Sequence, residues 1–153
     1  MKEYRKGVGI FLINSDKKLW VGKRIEPKGK YWQMPQGGID ENESPSLAMK
    51  RELHEEVGID KDYTVIKEST KWFQYQLPKN LIDVIWKGKY LGQKQKWFAC
   101  KFHGNDNDID LNLHIPEFST WKWINPLESI ELVVPFKKKL YREILEDFKE
   151  LYH

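Results

Sequence analysis

Apolar positions along the chain follow two different periods. Gly7 to Asn14 is almost continuously apolar, as a strand buried on both faces requires, and Lys18 to Arg24 follows across an Asn-Ser-Asp-Lys turn. Runs rich in β-branched and aromatic residues predict further strands over Tyr63–Glu68, Trp72–Leu77, Ile82–Lys89, Gln95–Phe102 and Thr120–Ile124. Two segments carry a helical period instead. In the first, Ser44 suits the N-cap, Pro45 the first helical position, and Gly58 a left-handed stop. In the second, Pro135 to Leu151, the residues Phe136, Leu140, Ile144, Phe148 and Leu151 recur at three- and four-residue steps. That stripe reads as the core face of an amphipathic C-terminal helix. A mixed sheet flanked by two helices follows, as an α/β or α+β sandwich. No repeat, low-complexity tract or Pro/Gly/Ser-rich linker divides the chain, so residues 1–153 are read as one domain.

Composition narrows the class. With 40% hydrophobic and 32% charged residues, the chain has an ordinary globular balance. The single cysteine, Cys100, excludes an internal disulfide framework and a Cys-based zinc cluster. The longest early apolar run, Val8 to Ile13, is too short for a membrane span or a signal segment, which predicts a cytoplasmic protein without membrane attachment. The net charge of +3 conceals an uneven distribution. Residues 1–39 carry nine basic and three acidic groups, whereas residues 40–60 carry two and seven. Residues 61–104 return to nine against three. An acidic segment between two basic ones suggests a cation site within an anion-attracting surface.

The first helix carries the chemistry. At about 100° per residue, Glu52, Glu55 and Glu56 fall in one arc, and Met49, Leu53 and Val57 occupy the arc beside it. Like charges at these spacings repel by roughly 0.2–0.5 kcal/mol per pair, a cost with no return unless a cation collects the oxygens. Hard carboxylates without His or Cys suit Mg²⁺ or Mn²⁺ rather than zinc. Arg51 can hold Glu43 or orient the other carboxylates through bidentate hydrogen bonds. His54-Glu55-Glu56-Val57-Gly58 begins like a zinc-protease helix, but the second His is replaced by Gly58, and His54 points away from the carboxylate arc.

These residues carry a family resemblance. Gly37, then Glu43, then Arg51-Glu52-Leu53-His54-Glu55-Glu56-Val57-Gly58-Ile59 resembles a complete Nudix box over residues 37–59. Trp32-Gln33-Met34-Pro35-Gln36-Gly37-Gly38 before it and Gly92-Gln93-Lys94-Gln95-Lys96-Trp97-Phe98 beyond it resemble the bacterial RNA pyrophosphohydrolase branch, which also holds dinucleoside polyphosphate hydrolases. Pro116-Glu117-Phe118, Trp121-Lys122-Trp123 and the C-terminal helix fit the same branch. The resemblance implies a Nudix α/β/α sandwich with a mixed sheet, its catalytic helix placed after the Gly-rich loop.

It also implies hydrolysis of a phosphoanhydride, with divalent ions neutralising the phosphates and activating a water. Glu52, Glu55, Glu56 and Glu117 would hold the metal, Mg²⁺ or another divalent ion such as Mn²⁺. The loop at Gly37 is permissive enough for a carbonyl to approach it. Glu52 or Glu56 would polarise the water, Glu117 would ligate metal or act as base, and Arg51 would orient the box. Glu43 and Gly58 would support its shape.

Substrate contacts are expected from Arg24, Lys94 and Lys96 to phosphates and from Tyr75 and Phe136 by stacking on 5′-terminal bases. Phe136 also fits the helix core stripe, and Lys137, Lys138 and Lys139 fit either an RNA backbone or a solvated face. The stretch Ile25 to Tyr31, with Lys28 and Lys30, is longer and more basic than that branch leads one to expect. The expected substrate is a 5′-triphosphate or 5′-diphosphate RNA end, with Ap4A or Ap5A as the alternative. A non-catalytic binding module is a third reading, and a weak one because the box is complete. No DNA partner is expected, and a monomer suffices, since an amphipathic helix can be buried within its own domain.

Overall fold

The computed structural model describes residues 2–26 and 29–153, so Lys28 lies outside the described part. The strands are β1 (Glu3–Ile13), β2 (Leu19–Arg24), β3 (Trp32–Gln33), β4 (Gln36–Gly38), β5 (Tyr63–Glu68), β6 (Phe73–Gln76), β7 (Tyr90–Phe102) and β8 (Phe118–Ile124). The α-helices are α1 (Pro45–Val57), α2 (Lys79–Ile82), α3 (Ser129–Leu132) and α4 (Lys138–Asp147). The strands form one mixed sheet along the path β3-β2-β1-β7-β5, with β4 on β1, β6 on β7 and β8 on β2. At its centre β1 and β7 run parallel, from Tyr4 beside Gly92 to Ile13 beside Lys101.

Continuous apolarity in β1 reflects burial on both sides. Phe11 and Ile13 face α4, packing with Leu140, Tyr141, Ile144, Leu145 and Phe148. Val8, Ile10 and Leu12 face α1, packing with Ala48, Met49, Leu53 and Val57. Helix, sheet and helix therefore make the expected α/β/α sandwich with two apolar layers.

Helix α1 has the expected termini. The Ser44 side chain accepts from the Leu47 N–H at 3.2 Å, Pro45 opens the helix, and Gly58 at φ 83° donates back to the His54 carbonyl. A Cβ on Gly58 would also lie 2.5 Å from the Asp110 carbonyl oxygen, so glycine is required there twice over.

The expected strand over 82–89 is corrected. Strands β6 and β7 pair directly, with Gln76 beside Gly92, and the Leu77 N–H donates to the Leu91 carbonyl at 2.8 Å. Residues 78–89 are therefore the connection of a hairpin, with no sheet edge left for them; they form α2 and a 3₁₀ turn at Ile85–Gly88. The C-terminal helix is likewise shorter than expected. Helix α4 covers ten residues between 3₁₀ turns at Pro135–Lys137 and Lys149–Leu151, and no side chain caps its start.

Candidate functional site

A cleft of about 390 Å³ opens where the end of β4, the side of α1 and the start of the C-terminal helical segment meet. Arg24, Gly37, Glu52, Glu55, Glu56, Tyr75, Glu117 and Phe136 all line it. Eight residues singled out from distant parts of the sequence thus share one wall.

The backbone entering the cleft is pinned from several sides. Met34 N–H donates to the Tyr141 hydroxyl of α4 at 2.8 Å, and Ile10 N–H donates to the Pro35 carbonyl at 2.9 Å. Gln36 N–H donates to Glu56 Oε1 at 3.3 Å, and Gln95 Nε2 donates to Gln36 Oε1 at 2.7 Å. Gly37 is required by packing. A Cβ there would lie 2.0 Å from Glu52 Cδ and 2.3 Å from both carboxylate oxygens.

Arg51 sits outside the cleft wall and organises it from behind. Its guanidinium grips Glu43 with both Nε and Nη2 at 2.9 Å. Nη2 also donates to the Gly38 carbonyl at 2.8 Å, while Nη1 reaches Glu52 Oε1 at 2.7 Å and Glu55 Oε2 at 3.3 Å. One planar fork thereby fixes the loop, the box glutamate Glu43 and two cleft carboxylates. The Arg51 hydrogen bond holds the Glu43 carboxyl below its ordinary range. Burial pushes Glu52 up, against the pull of Arg51.

Glu56 is the exception. It is 6% exposed, and burial pushes its carboxyl well above the ordinary range, with the charges of Glu52 and Glu117 adding to the shift. Buried Glu52 and Glu56, with Glu117 close enough to add its charge, supply the kind of oxygen donors that a hard divalent ion takes. As they stand, no three His, Cys, Asp or Glu groups among the described residues form a finished metal cage. The residues fit a divalent ion, and Arg51 holds Glu52 and Glu55 at the cleft wall.

Other expectations are corrected. Lys94 and Lys96 do not line the cleft. Along β7, alternation turns Gln93 and Gln95 inward and both lysines to the opposite face. There Lys94 lies 5.9 Å from the Trp72 ring centroid, and Lys96 donates to the Ser69 carbonyl at 2.8 Å and approaches Glu68 at 3.6 Å. Lys137 is not on a solvated face: it is 4% exposed, lines the cleft and contacts Gln33 Oε1 at 3.4 Å. Burial, with the charge of Arg24, lowers its ammonium to about 7, and Glu56 opposes that shift. Phe136 packs against the α4 core, as its place in the helix stripe predicts, and it also lines the cleft, where its ring meets Tyr75 at 5.9 Å.

Arg5 and Gln93 are functional candidates that sequence reasoning missed. Arg5 Nη1 donates to Gln93 Oε1 at 3.2 Å, and Gln93 Nε2 donates to the Tyr75 hydroxyl at 2.8 Å. Gln93 is fully buried, and the sequence of β7 alone carries no signal that marks it. His114 and Ile115, on the loop leading to Glu117, stand at the mouth.

Comparison with known proteins agrees with this geometry. The NUDIX domain model matches residues 3–144. RNA pyrophosphohydrolase from Rickettsia canadensis (strain McKiel) is 47% identical over 97% of this chain and 91% of its own length. The Rickettsia prowazekii (strain Madrid E) RNA pyrophosphohydrolase is 45% identical over the same shares. Among solved structures, the E. coli dihydroneopterin triphosphate pyrophosphohydrolase superposes with a TM-score of 0.72 at 20% identity, covering 95% of this chain and 99% of that one. A C. elegans Ap4A hydrolase binary complex gives 0.68 at 20% identity, covering 95% and 98%. At such identity the structures speak for the fold. Nudix hydrolases generally need divalent cations. The sequence box, the sandwich built around it and whole-chain identity to curated members converge, and the chain belongs to the Nudix hydrolase family.

Proposed function

We propose that this protein is an RNA 5′-pyrophosphohydrolase that converts 5′-triphosphate or 5′-diphosphate ends to 5′-monophosphates, exposing the RNA to decay. One observation carries the choice of RNA: the 45–47% identity over nearly the whole chain to curated RNA pyrophosphohydrolases. The cleft supports it with carboxylates at one end, the cations Arg5, Arg24 and Lys137, and the Tyr75–Phe136 pair. Bound Mg²⁺ would neutralise the anhydride and lower the pKa of an attacking water. Glu52, Glu55, Glu56 and Glu117 would hold it, beside the Gly37 carbonyl. A triphosphate end and one water then yield a monophosphate end and pyrophosphate. Arg5, Arg24 and Lys137 would hold the phosphates, and the aromatic pair would stack on the first bases. The chain works as one domain and as a monomer in the cytoplasm, with no DNA or membrane partner. No helix among the described residues is long and apolar enough to cross a membrane.

The test is competitive turnover. Equal concentrations of a short 5′-triphosphate RNA and Ap4A are given to the protein with Mg²⁺, and both products are followed. A higher kcat/KM on RNA is expected; the reverse would make dinucleoside polyphosphates the substrate, the reading that the same cleft also accommodates.

Phe136→Ala separates stacking from packing. Stacking contributes roughly 1–3 kcal/mol per base, so KM for RNA should rise about tenfold. Because Phe136 is only half-buried, the stability loss should stay below the roughly 3–5 kcal/mol of a fully buried Phe. KM and Tm measured on the same preparation check both statements.

A further inference from the structure

We propose that Trp86 is a positioning residue, its indole face holding the Arg5 guanidinium so that the free N–H groups face the substrate phosphates. The inference rests on reading the cleft as a phosphoanhydride site. Arg5 Cζ lies 5.1 Å from the Trp86 ring centroid. On another side the guanidinium crosses Gly38, where a Cβ would fall 2.2 Å from Nη2, so only glycine leaves it room. At its edge Nη1 donates to Gln93. Among the described residues no carboxylate lies within ion-pair distance of Arg5. A cation held by stacking keeps its in-plane donors free, whereas a carboxylate partner would consume two of them.

The backbone under Trp86 is unusual in a way that points to function. Trp86 at φ 52°, Lys87 at φ 57° and Gly88 at φ 72° form a left-handed run in which only the last residue lacks a Cβ. L side chains resist this conformation, and two such residues in succession persist only when their surroundings fix them. Here they place Trp86 and Ile85 on the cleft wall, with Trp86 edge-on to Tyr90 at 6.1 Å. The hairpin connection therefore reaches back across the sheet to β1, and through Arg5 and Gln93 it touches the Tyr75 hydroxyl.

The probe is inorganic tripolyphosphate, which has phosphates and no base, used as a competitive inhibitor of whichever substrate the enzyme turns over. Failure on RNA would thus be seen separately from failure of this inference. Trp86→Leu should weaken tripolyphosphate inhibition and raise substrate KM by about three- to tenfold, with kcat changed less than about twofold. Trp86→Phe, which keeps a π face, should recover most of the loss. In an Arg5→Gln background, Trp86→Leu should add nothing. If Trp86→Leu does not fold, the same cycle with Trp86→Phe should show a smaller coupled loss. Equal losses with and without Arg5, or unchanged tripolyphosphate inhibition alongside a raised KM for RNA, would overturn the proposal.

Discussion

Glu56→Gln should reduce kcat by at least about a thousandfold while leaving Tm unchanged or higher. That lies in the upper part of the range, about 10²–10⁴-fold, that losing a group acting directly on the reacting water costs. Stability should not suffer, because the carboxylate contributes none. Buried beside Glu52 and Glu117, Glu56 carries a cost of desolvation and repulsion that a neutral amide of the same shape escapes. Its hydrogen bond from Gln36 N–H can pass to the amide oxygen. The sign with pH follows. A carboxyl whose folded pKa is raised binds its proton more tightly folded than unfolded, so its contribution is favourable in acid and fades as pH rises through the raised value. Metal-free wild-type protein should therefore lose stability relative to Glu56→Gln as pH rises above the ordinary carboxylate range, and Mg²⁺ should narrow the gap. Melting curves across pH, with and without Mg²⁺, check this; a variant that keeps near-normal turnover would remove Glu56 from the essential set.

Gly37→Ala should cost about 10²–10³-fold in kcat with only a modest fall in Tm, a separation few glycine substitutions show. The new methyl group would land on the Glu52 carboxylate. That carboxylate is the end of a flexible side chain, so the fold yields by moving it rather than by breaking β4 away from β1, where Gly37 faces Val8. A displacement near 1 Å at the reacting centre is enough for losses of about a hundredfold. Arg51 would follow, since its Nη1 holds the same carboxylate. Gly92 provides the contrast. A Cβ there meets the Tyr75 carbonyl oxygen at 2.0 Å, backbone that cannot swing aside, so Gly92→Ala belongs with changes that damage the hairpin itself. Steady-state kinetics and thermal melts on Gly37→Ala distinguish a moved carboxylate from a broken strand.

Local chemistry made much of this legible in advance. Ser44, Pro45 and Gly58 mark their helix because capping is decided within a few residues of each end. The carboxylate arc was readable because helical spacing converts directly into a face. Residues 82–89 misled for the same reason. Ile82, Val84, Ile85 and Trp86 have the composition of a strand, but pairing depends on a free edge, and β6 had already taken the neighbouring one. Lys94 and Lys96 stood one position out of phase with the cleft, and nothing within β7 reveals which parity faces inward. Lys137 looked like one of three surface lysines; its burial exists only once Gln33 and Glu56 are brought against it from far along the chain. Arg5 was hidden likewise, on a strand whose partner begins at Tyr90.

That last pairing also governs how the protein comes into being. Residues paired at the heart of the sheet, such as Tyr4 and Gly92, lie about ninety positions apart along the chain. Contacts between such distant segments close slowly, because the entropy of the long loop is lost before the pairing rewards it. During synthesis, residues 3–13 and the acidic helix leave the ribosome long before Tyr90–Phe102 exists to sit beside the first strand. A nascent chain stopped before that point holds two apolar faces with nothing between them to complete the sheet, so it remains exposed to chaperones and proteases. The cleft is therefore completed late, since Glu117, Phe136 and Lys137 reach it only from chain made after Tyr90–Phe102.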